Sequence, residues 1–163
     1  MTHEQLVSFL YYLVPVGAAA ALLFAWIQSR KVLKSSEGDA GIVEIAAAIR
    51  KGANAYLRRQ YRGVGIFFAG MFVILGILAL LGMLNPFVPF AFLTGGFFSG
   101  LSGFIGMKIA TAANSRTANA ARNSLNKALR IAFASGTVMG FTVVGLALLD
   151  LSIWFFFLRF FYT

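Results

Sequence analysis

The chain has 163 residues, of which 60% are hydrophobic and only 12% charged. A water-soluble domain carries about 25% charged residues and could not hide this much apolar surface, so a soluble fold is excluded and an integral membrane protein is expected. Fourteen Lys/Arg against five Asp/Glu leave a formal charge of +9, and the lack of any cysteine excludes a disulfide framework and thiolate chemistry.

Residues 6–27, LVSFLYYLVPVGAAAALLFAWI, predict the first membrane span. At 1.5 Å rise this run covers about 33 Å, enough for a hydrocarbon core of about 30 Å. No Lys or Arg precedes it, so a retained helix is expected rather than a signal peptide. Pro15 is expected to kink it, and Trp26 suits an interface. Residues 28–62 are polar and hold eight of the fourteen basic residues: Arg30, Lys31, Lys34, Arg50, Lys51, Arg58, Arg59 and Arg62. Within them Ser35–Gly41 reads as a loop, with Asp39 placed to cap the next helix. From Ile42 the pattern turns amphipathic: Ile42, Ile45, Ile49, Ala53 and Tyr56 share one face, while Glu44, Lys51, Asn54, Arg58 and Arg62 lie away from it. No proline interrupts the chain between Ile42 and Leu84, so this helix is expected to run straight into the second span, residues 63–84.

Asn85, Pro86 and Pro89 predict a short uncharged turn. The third span is expected over about residues 90–113. It carries Gly96 and Gly100 as a G-x-x-x-G pair, continued by Gly103 and Gly106, a spacing that lets helices approach closely in lipid. Beyond it, Ala110, Ala113, Thr117, Ala121 and Ser124 form a small-residue stripe, and Lys108, Ser115, Asn119, Arg122 and Asn126 form a polar one. The helix is therefore expected to extend some turns past the bilayer, to turn near Asn123–Asn126, and to give way to a fourth span over about 131–158. Gly136 and Gly140 offer a second close-packing pair there. The fold class expected is an all-α polytopic membrane protein of four transmembrane helices, the second and third extended on the cytoplasmic side. Because Lys/Arg collect at 28–62 and 108–130, the segments 28–62 and 114–130 are expected in the cytoplasm and both ends of the chain outside. Charges placed beside apolar runs in this way do not make the basic face of a nucleic-acid-binding module.

Little in the chain resembles a reaction centre. His3 is the one histidine and lies in the N-terminal tail. The five acids Glu4, Glu37, Asp39, Glu44 and Asp150 are scattered, whereas a metal site needs several converging ligands. There is no Walker-type loop and no Ser/His/Asp set. No catalytic, cofactor-binding or metal-ligating residue is therefore expected within these positions. Two features stand apart. Asp150 sits in the apolar run GLALLDLSIWFFF, where an acid is costly; a structural polar contact and an ion path are its readings, and a pairing with Arg159 requires the helix to bend or another helix to supply the contact. The cluster Lys108, Arg116, Arg122, Lys127 and Arg130 is either a topology signal that meets lipid headgroups or a meeting place for an anion such as phosphate.

One segment is specific. GMKIATAANSRTANAARNSLNKALRIAFASGTVMG, Gly106 to Gly140, closely resembles the third-to-fourth helix region of membrane-bound, ion-pumping inorganic pyrophosphatases. A second segment, IAAAIRKGANAYLRRQY from Ile45 to Tyr61, resembles the stretch entering that family's second helix. The resemblance spans nearly the whole chain in the right order. It implies a primary pump that couples pyrophosphate hydrolysis to H⁺ or Na⁺ movement, works as a homodimer, requires Mg²⁺ and in some branches K⁺, and has many more helices than these four. In that family the substrate site lies in Asp-rich segments on later helices. None of those acids maps onto a residue here, so the chain reads as the N-terminal, supporting part of such a pump, inactive alone, in the inner (plasma) membrane of a bacterium. Its expected partners are the remaining helices and membrane lipid. The alternatives are a free-standing four-helix membrane protein with a structural or assembly role, and a basic membrane-surface adaptor that binds anionic lipid or nucleic acid.

Overall fold

The computed structural model describes the backbone of residues 3–162 and the side chains of residues 11–161. It contains four helices and, among the described residues, no strand: α1 (His3–Lys34), α2 (Ala40–Leu80), α3 (Val88–Ala121) and α4 (Leu125–Tyr162). Each is long and apolar enough to cross a membrane. At 41 residues α2 is about 60 Å long, roughly twice a hydrocarbon core, so it continues beyond any bilayer it spans. The unbroken run from the amphipathic segment into the second span is as expected, and α1 passes through Pro15 without interruption.

The ends of the helices have local causes. Asp39 caps α2, its Oδ1 accepting from the Ile42 N–H at 3.0 Å. α2 stops short of the expected Leu84 because Gly82 takes φ +74° and the N–H groups of Met83 and Gly82 return to the Leu78 and Ala79 carbonyls, both at 3.0 Å. That is a Schellman ending, which favours glycine at the left-handed position. Asn85 Oδ1 accepts from the Phe87 N–H at 3.0 Å, and Pro89 stands in the first turn of α3, so that helix begins at Val88. The α3–α4 turn is tighter than expected. It occupies Arg122–Ser124, and Leu125 and Asn126 already belong to α4, which Ser124 Oγ caps by accepting from the Lys127 N–H at 3.4 Å.

The helices pack in the order α2, α3, α4, α1, with α1 also touching α3. Sequential neighbours are antiparallel, and so are α1 and α4: Tyr11 meets Phe155 and Phe24 meets Phe141, at centroid separations of 4.4 and 4.8 Å. Small residues make the interior. Ala18, Ala21 and Ala25 of α1 face α4, and Ala25, Ile109 and Val138 form the central cluster. A Cβ placed on Gly145 would lie 2.8 Å from the Leu22 side chain and 3.3 Å from the Ala18 carbonyl oxygen, so only glycine lets these two backbones come this close. On the other flank Gly96 receives the Phe68 ring, which also stacks on Phe92 at 4.6 Å, and Tyr61 Oη donates to the Gly100 carbonyl. Of the expected glycine surface of α3, Gly96, Gly100 and Gly103 therefore meet α2, whereas Gly106 meets Met139 of α4.

One expectation is corrected, and the packed faces of α2 and α3 are found. Gly136 and Gly140 have open space where a Cβ would stand, so the second close-packing pair is unused within this chain. On α2 the packed stripe is Ala46, Arg50, Ala53, Leu57 and Tyr61, not the isoleucine face; Ile45, Ile49 and Tyr56 point outward. The reason is size and hydrogen bonding: Ala46 permits close approach, and Arg50 and Tyr61 find polar partners, which an isoleucine cannot. On α3 the buried line is Gly106, Ile109, Ala113 and Arg116, and only Ala113 of the small-residue stripe is fully buried.

The outer surface is strongly apolar. No residue of the apolar window of α2 is buried, and Leu80, Phe133 and Ile66 are 89%, 72% and 69% exposed. In water such a surface would aggregate; in lipid it is already solvated. The Gly145 and Gly136 positions give a matched test. In sodium dodecyl sulfate titrations of the reconstituted protein, Gly145→Leu is expected to lower the unfolding free energy by about 1–3 kcal/mol through overpacking, while Gly136→Leu leaves the α1–α4 packing intact. Equal effects at the two positions would contradict the packing described.

Candidate functional site

At one end of the bundle the α1–α2 loop, residues 35–39, lies against the C-terminal turns of α3. A helix places positions i, i+3 and i+6 along one stripe, and Arg116, Asn119 and Arg122 use that spacing to reach the loop. Arg116 Nε donates to the Ser35 carbonyl at 3.0 Å, Nη2 to the Leu33 carbonyl at 3.4 Å, and Nη1 to the Ala112 carbonyl one turn back on its own helix. Nη1 also pairs with Glu37 at 3.0 Å. Asn119 Nδ2 donates to the Ser36 carbonyl at 3.4 Å. Arg122 pairs with Asp39, the same carboxylate that caps α2.

The loop is built to be held this way. Gly38 has φ +104°, and a Cβ there would stand 3.0 Å from both the Asn119 amide and the Ile42 side chain, so glycine is required by conformation and by space. Arg50, one turn below Ala46 on α2, closes the other side of Glu37 with contacts of 3.2 and 3.3 Å to its two oxygens. Glu37 thus lies between two guanidinium groups. The Arg116 side chain is 11% exposed and Glu37 26%, against 57% and 54% for Arg122 and Asp39. The first pair lies where screening is weak and its hydrogen bonds are satisfied; the second is largely solvated and contributes little. The Asp39 carboxyl is held below its ordinary value of 3.8, chiefly by the hydrogen bond from Arg122 and next by the Ile42 N–H.

The five basic residues that the sequence groups together therefore have separate roles. Arg116 and Arg122 hold the loop, Lys108 rests over the Phe104 ring at 5.4 Å, and Lys127 and Arg130 line a cleft beside Ser35 and Ser36. The roles of Glu37 and Arg50 were not foreseen. Their signal was a second acid, beside the capping Asp39, in a loop that leads into a helix carrying four arginines. Asp150 lies in the α3–α4 interface: its Oδ2 is 3.5 Å from where a Cβ on Gly95 would stand, and its Oδ1 is buried with no hydrogen-bond partner among the described residues. One turn on, Trp154 Nε1 donates to Thr94 Oγ1 at 2.7 Å. Arg159 sits over the Tyr11 ring at 5.7 Å. The side chains of His3 and Glu4 lie outside the described residues.

The donor set does not fit Mg²⁺. Among the described residues no three His, Cys, Asp or Glu side chains converge, and the two neighbouring acids Glu37 and Asp39 are each held by arginine. A divalent cation here would meet the positive charge of those arginines.

The model of the family described as inorganic H⁺ pyrophosphatase matches residues 19–162. Over 149 residues the chain is 57% identical to a Bacteroides thetaiotaomicron protein named as a K⁺-stimulated pyrophosphate-energized sodium pump, covering 91% of this chain and 20% of that protein. It is 46% identical over 143 residues to a Moorella thermoacetica protein named as a K⁺-insensitive pyrophosphate-energized proton pump, covering 88% of this chain and 20% of that protein. A Methanosarcina mazei protein, also named as a K⁺-insensitive proton pump, is 40% identical over 145 residues, covering 88% of this chain and 21% of that protein. The chain thus spans about one fifth of the length of these relatives and matches their N-terminal portion.

The loop contacts lead to a graded expectation. Arg116→Ala leaves two carbonyls and Glu37 short of donors and is expected to cost about 2–3 kcal/mol of unfolding free energy, with Arg116→Lys recovering only part. Arg122→Ala should cost less. Because the Asp39 carboxyl is depressed, its contribution is complete above pH 3.8 and fades as the pH falls below that value. The stability difference between the parent protein and Arg122→Ala should therefore be flat from pH 8 to 5 and vanish in stronger acid. A difference that grows on acidification would contradict the assignment.

Proposed function

The chain belongs to the inorganic H⁺ pyrophosphatase family, and from that membership we propose that it is the N-terminal, supporting part of a pump that couples pyrophosphate hydrolysis to H⁺ or Na⁺ transport. The observation that carries this reading is the continuous match to pyrophosphate-energized proton and sodium pumps across nearly the whole chain. It is an integral, multi-pass membrane segment by its four apolar helices and by its relatives. In this reading the basic segments 28–62 and 114–130 face the cytoplasm of a bacterium, both ends of the chain lie outside, and the whole pump is a Mg²⁺-dependent homodimer. The membrane limits 6–27, 63–84, 90–113 and 131–158 are part of the same proposal.

The division of labour follows from chemistry. Hydrolysing a phosphoanhydride requires several cations to offset phosphate charge and a positioned water. Among the described carboxylates Glu37 and Asp39 are engaged in ion pairs, Glu44 is exposed on α2 and Asp150 lies singly between helices, so in this reading these four helices brace a site built elsewhere. Membranes containing the whole protein are expected to release phosphate from pyrophosphate in the presence of Mg²⁺ and to acidify or load inverted vesicles with Na⁺. The 163-residue chain alone should release no more than a boiled control. Turnover by the isolated chain, or none by the whole protein, would overturn the reading. Orientation is read separately. The chain has no native cysteine, so one cysteine at Ser36 should react with a membrane-impermeant maleimide only from the cytoplasmic side and one at Pro86 only from outside.

A further inference from the structure

Lys127 and Arg130 have no part in holding the loop. They stand three residues apart at the start of α4, on one wall of a cleft of about 440 Å³. Ser35, Ser36, Arg116 and Asn119 line the rest. That volume lies within the range of small-molecule sites, about 300–1,000 Å³. Neither cation has an acidic partner among the described residues, because the nearby carboxylates are taken: Glu37 by Arg50 and Arg116, Asp39 by Arg122. Three cations, Arg116, Lys127 and Arg130, line the cleft and no carboxylate does, so the cleft is positive.

The polar groups that face it are mostly donors. Arg116 is nine-tenths buried and its Nη2 makes only a long contact, 3.4 Å, to the Leu33 carbonyl. Ser36 Oγ accepts from the Gly38 N–H at 3.2 Å, which leaves its own hydroxyl proton to give. A compact ligand with several acceptor oxygens and negative charge fits this set, and a phosphate group has both. The position supports it. Ile131, which also lines the cleft, opens the apolar run of α4, so the cleft lies at the level where lipid phosphates meet a membrane protein.

We propose that this cleft binds a phosphate group, carried by an anionic lipid headgroup or as free inorganic phosphate, with Lys127 and Arg130 as the principal contacts. The proposal is independent of pyrophosphate turnover, and its test reads binding.

The experiment uses the detergent-solubilised whole protein that carries this chain, titrated separately with short-chain phosphatidylglycerol, short-chain phosphatidylcholine and inorganic phosphate. The readout is the thermal unfolding midpoint as a function of ligand concentration. Lys127→Gln/Arg130→Gln is compared with the charge-matched variant Arg58→Gln/Arg59→Gln, which lies on α2 away from the cleft. Removing two interfacial cations is expected to weaken binding by about 30-fold. A loss of that size for phosphatidylglycerol in the cleft variant alone assigns the site to a lipid headgroup. The same loss for inorganic phosphate assigns it to the free ion. Equal losses in both variants, or no ligand response in the parent protein, would overturn the proposal.

Discussion

Arg116 is the side chain on which the arrangement depends. It stands on α3, binds two carbonyls at the end of α1 and its loop, and pairs with Glu37, which Arg50 of α2 holds from the other side. Three helices are thereby tied at one end by a guanidinium group that is itself almost buried. A lysine could not do this, since the contacts run in several directions from one planar group. The constraint is electrostatic as much as geometric: removing any partner leaves charge or carbonyl dipoles without their partner in a partly buried contact.

Below that end, the packing is of a different kind. The contacts among α1, α3 and α4 rest on alanine and glycine, with aromatic rings filling the wider gaps, as expected where lipid offers no hydrophobic drive and close approach must supply the attraction. α2 is the exception. It touches only α3 among the described residues, through Phe68 on Gly96 and Tyr61 on Gly100, and most of its apolar length faces outward. A helix anchored at its loop by Glu37 and Arg50 but otherwise little covered is suited to receive other membrane helices, consistent with a chain that spans one fifth of its relatives' length.

Much of this was legible in the sequence because the signals were strong and one-dimensional. Four long apolar runs, a capping Asp39 and an uninterrupted stretch from Ile42 were enough for the helices and their order. What the sequence concealed was which face meets which neighbour. The apolar periodicity of α2 did not say what its isoleucines meet: alanine, arginine, leucine and tyrosine provide the packing, because in lipid an exposed isoleucine costs nothing. Gly136 and Gly140 carried the same small-residue spacing as Gly96 and Gly100, and spacing alone does not say whether a partner lies within the chain. Gly82 was read through as span, although its left-handed conformation ends α2. In the candidate site the motif residues Arg116, Asn119 and Arg122 were visible, but their target was a loop some eighty positions earlier. Pairings at such separation have no local signature, and Glu37 with Arg50, thirteen positions apart across the loop, falls outside the three- and four-residue steps that mark a helix face.

The account turns on whether Arg116 and Glu37 act together. A double-mutant cycle in the reconstituted whole protein, using Arg116→Ala, Glu37→Gln and the combination, measures this directly. The account predicts a coupling of at least about 1 kcal/mol, the double variant losing clearly less than the sum of the singles. Losses that simply add would contradict it, and the tie between α1, α2 and α3 would have to lie elsewhere.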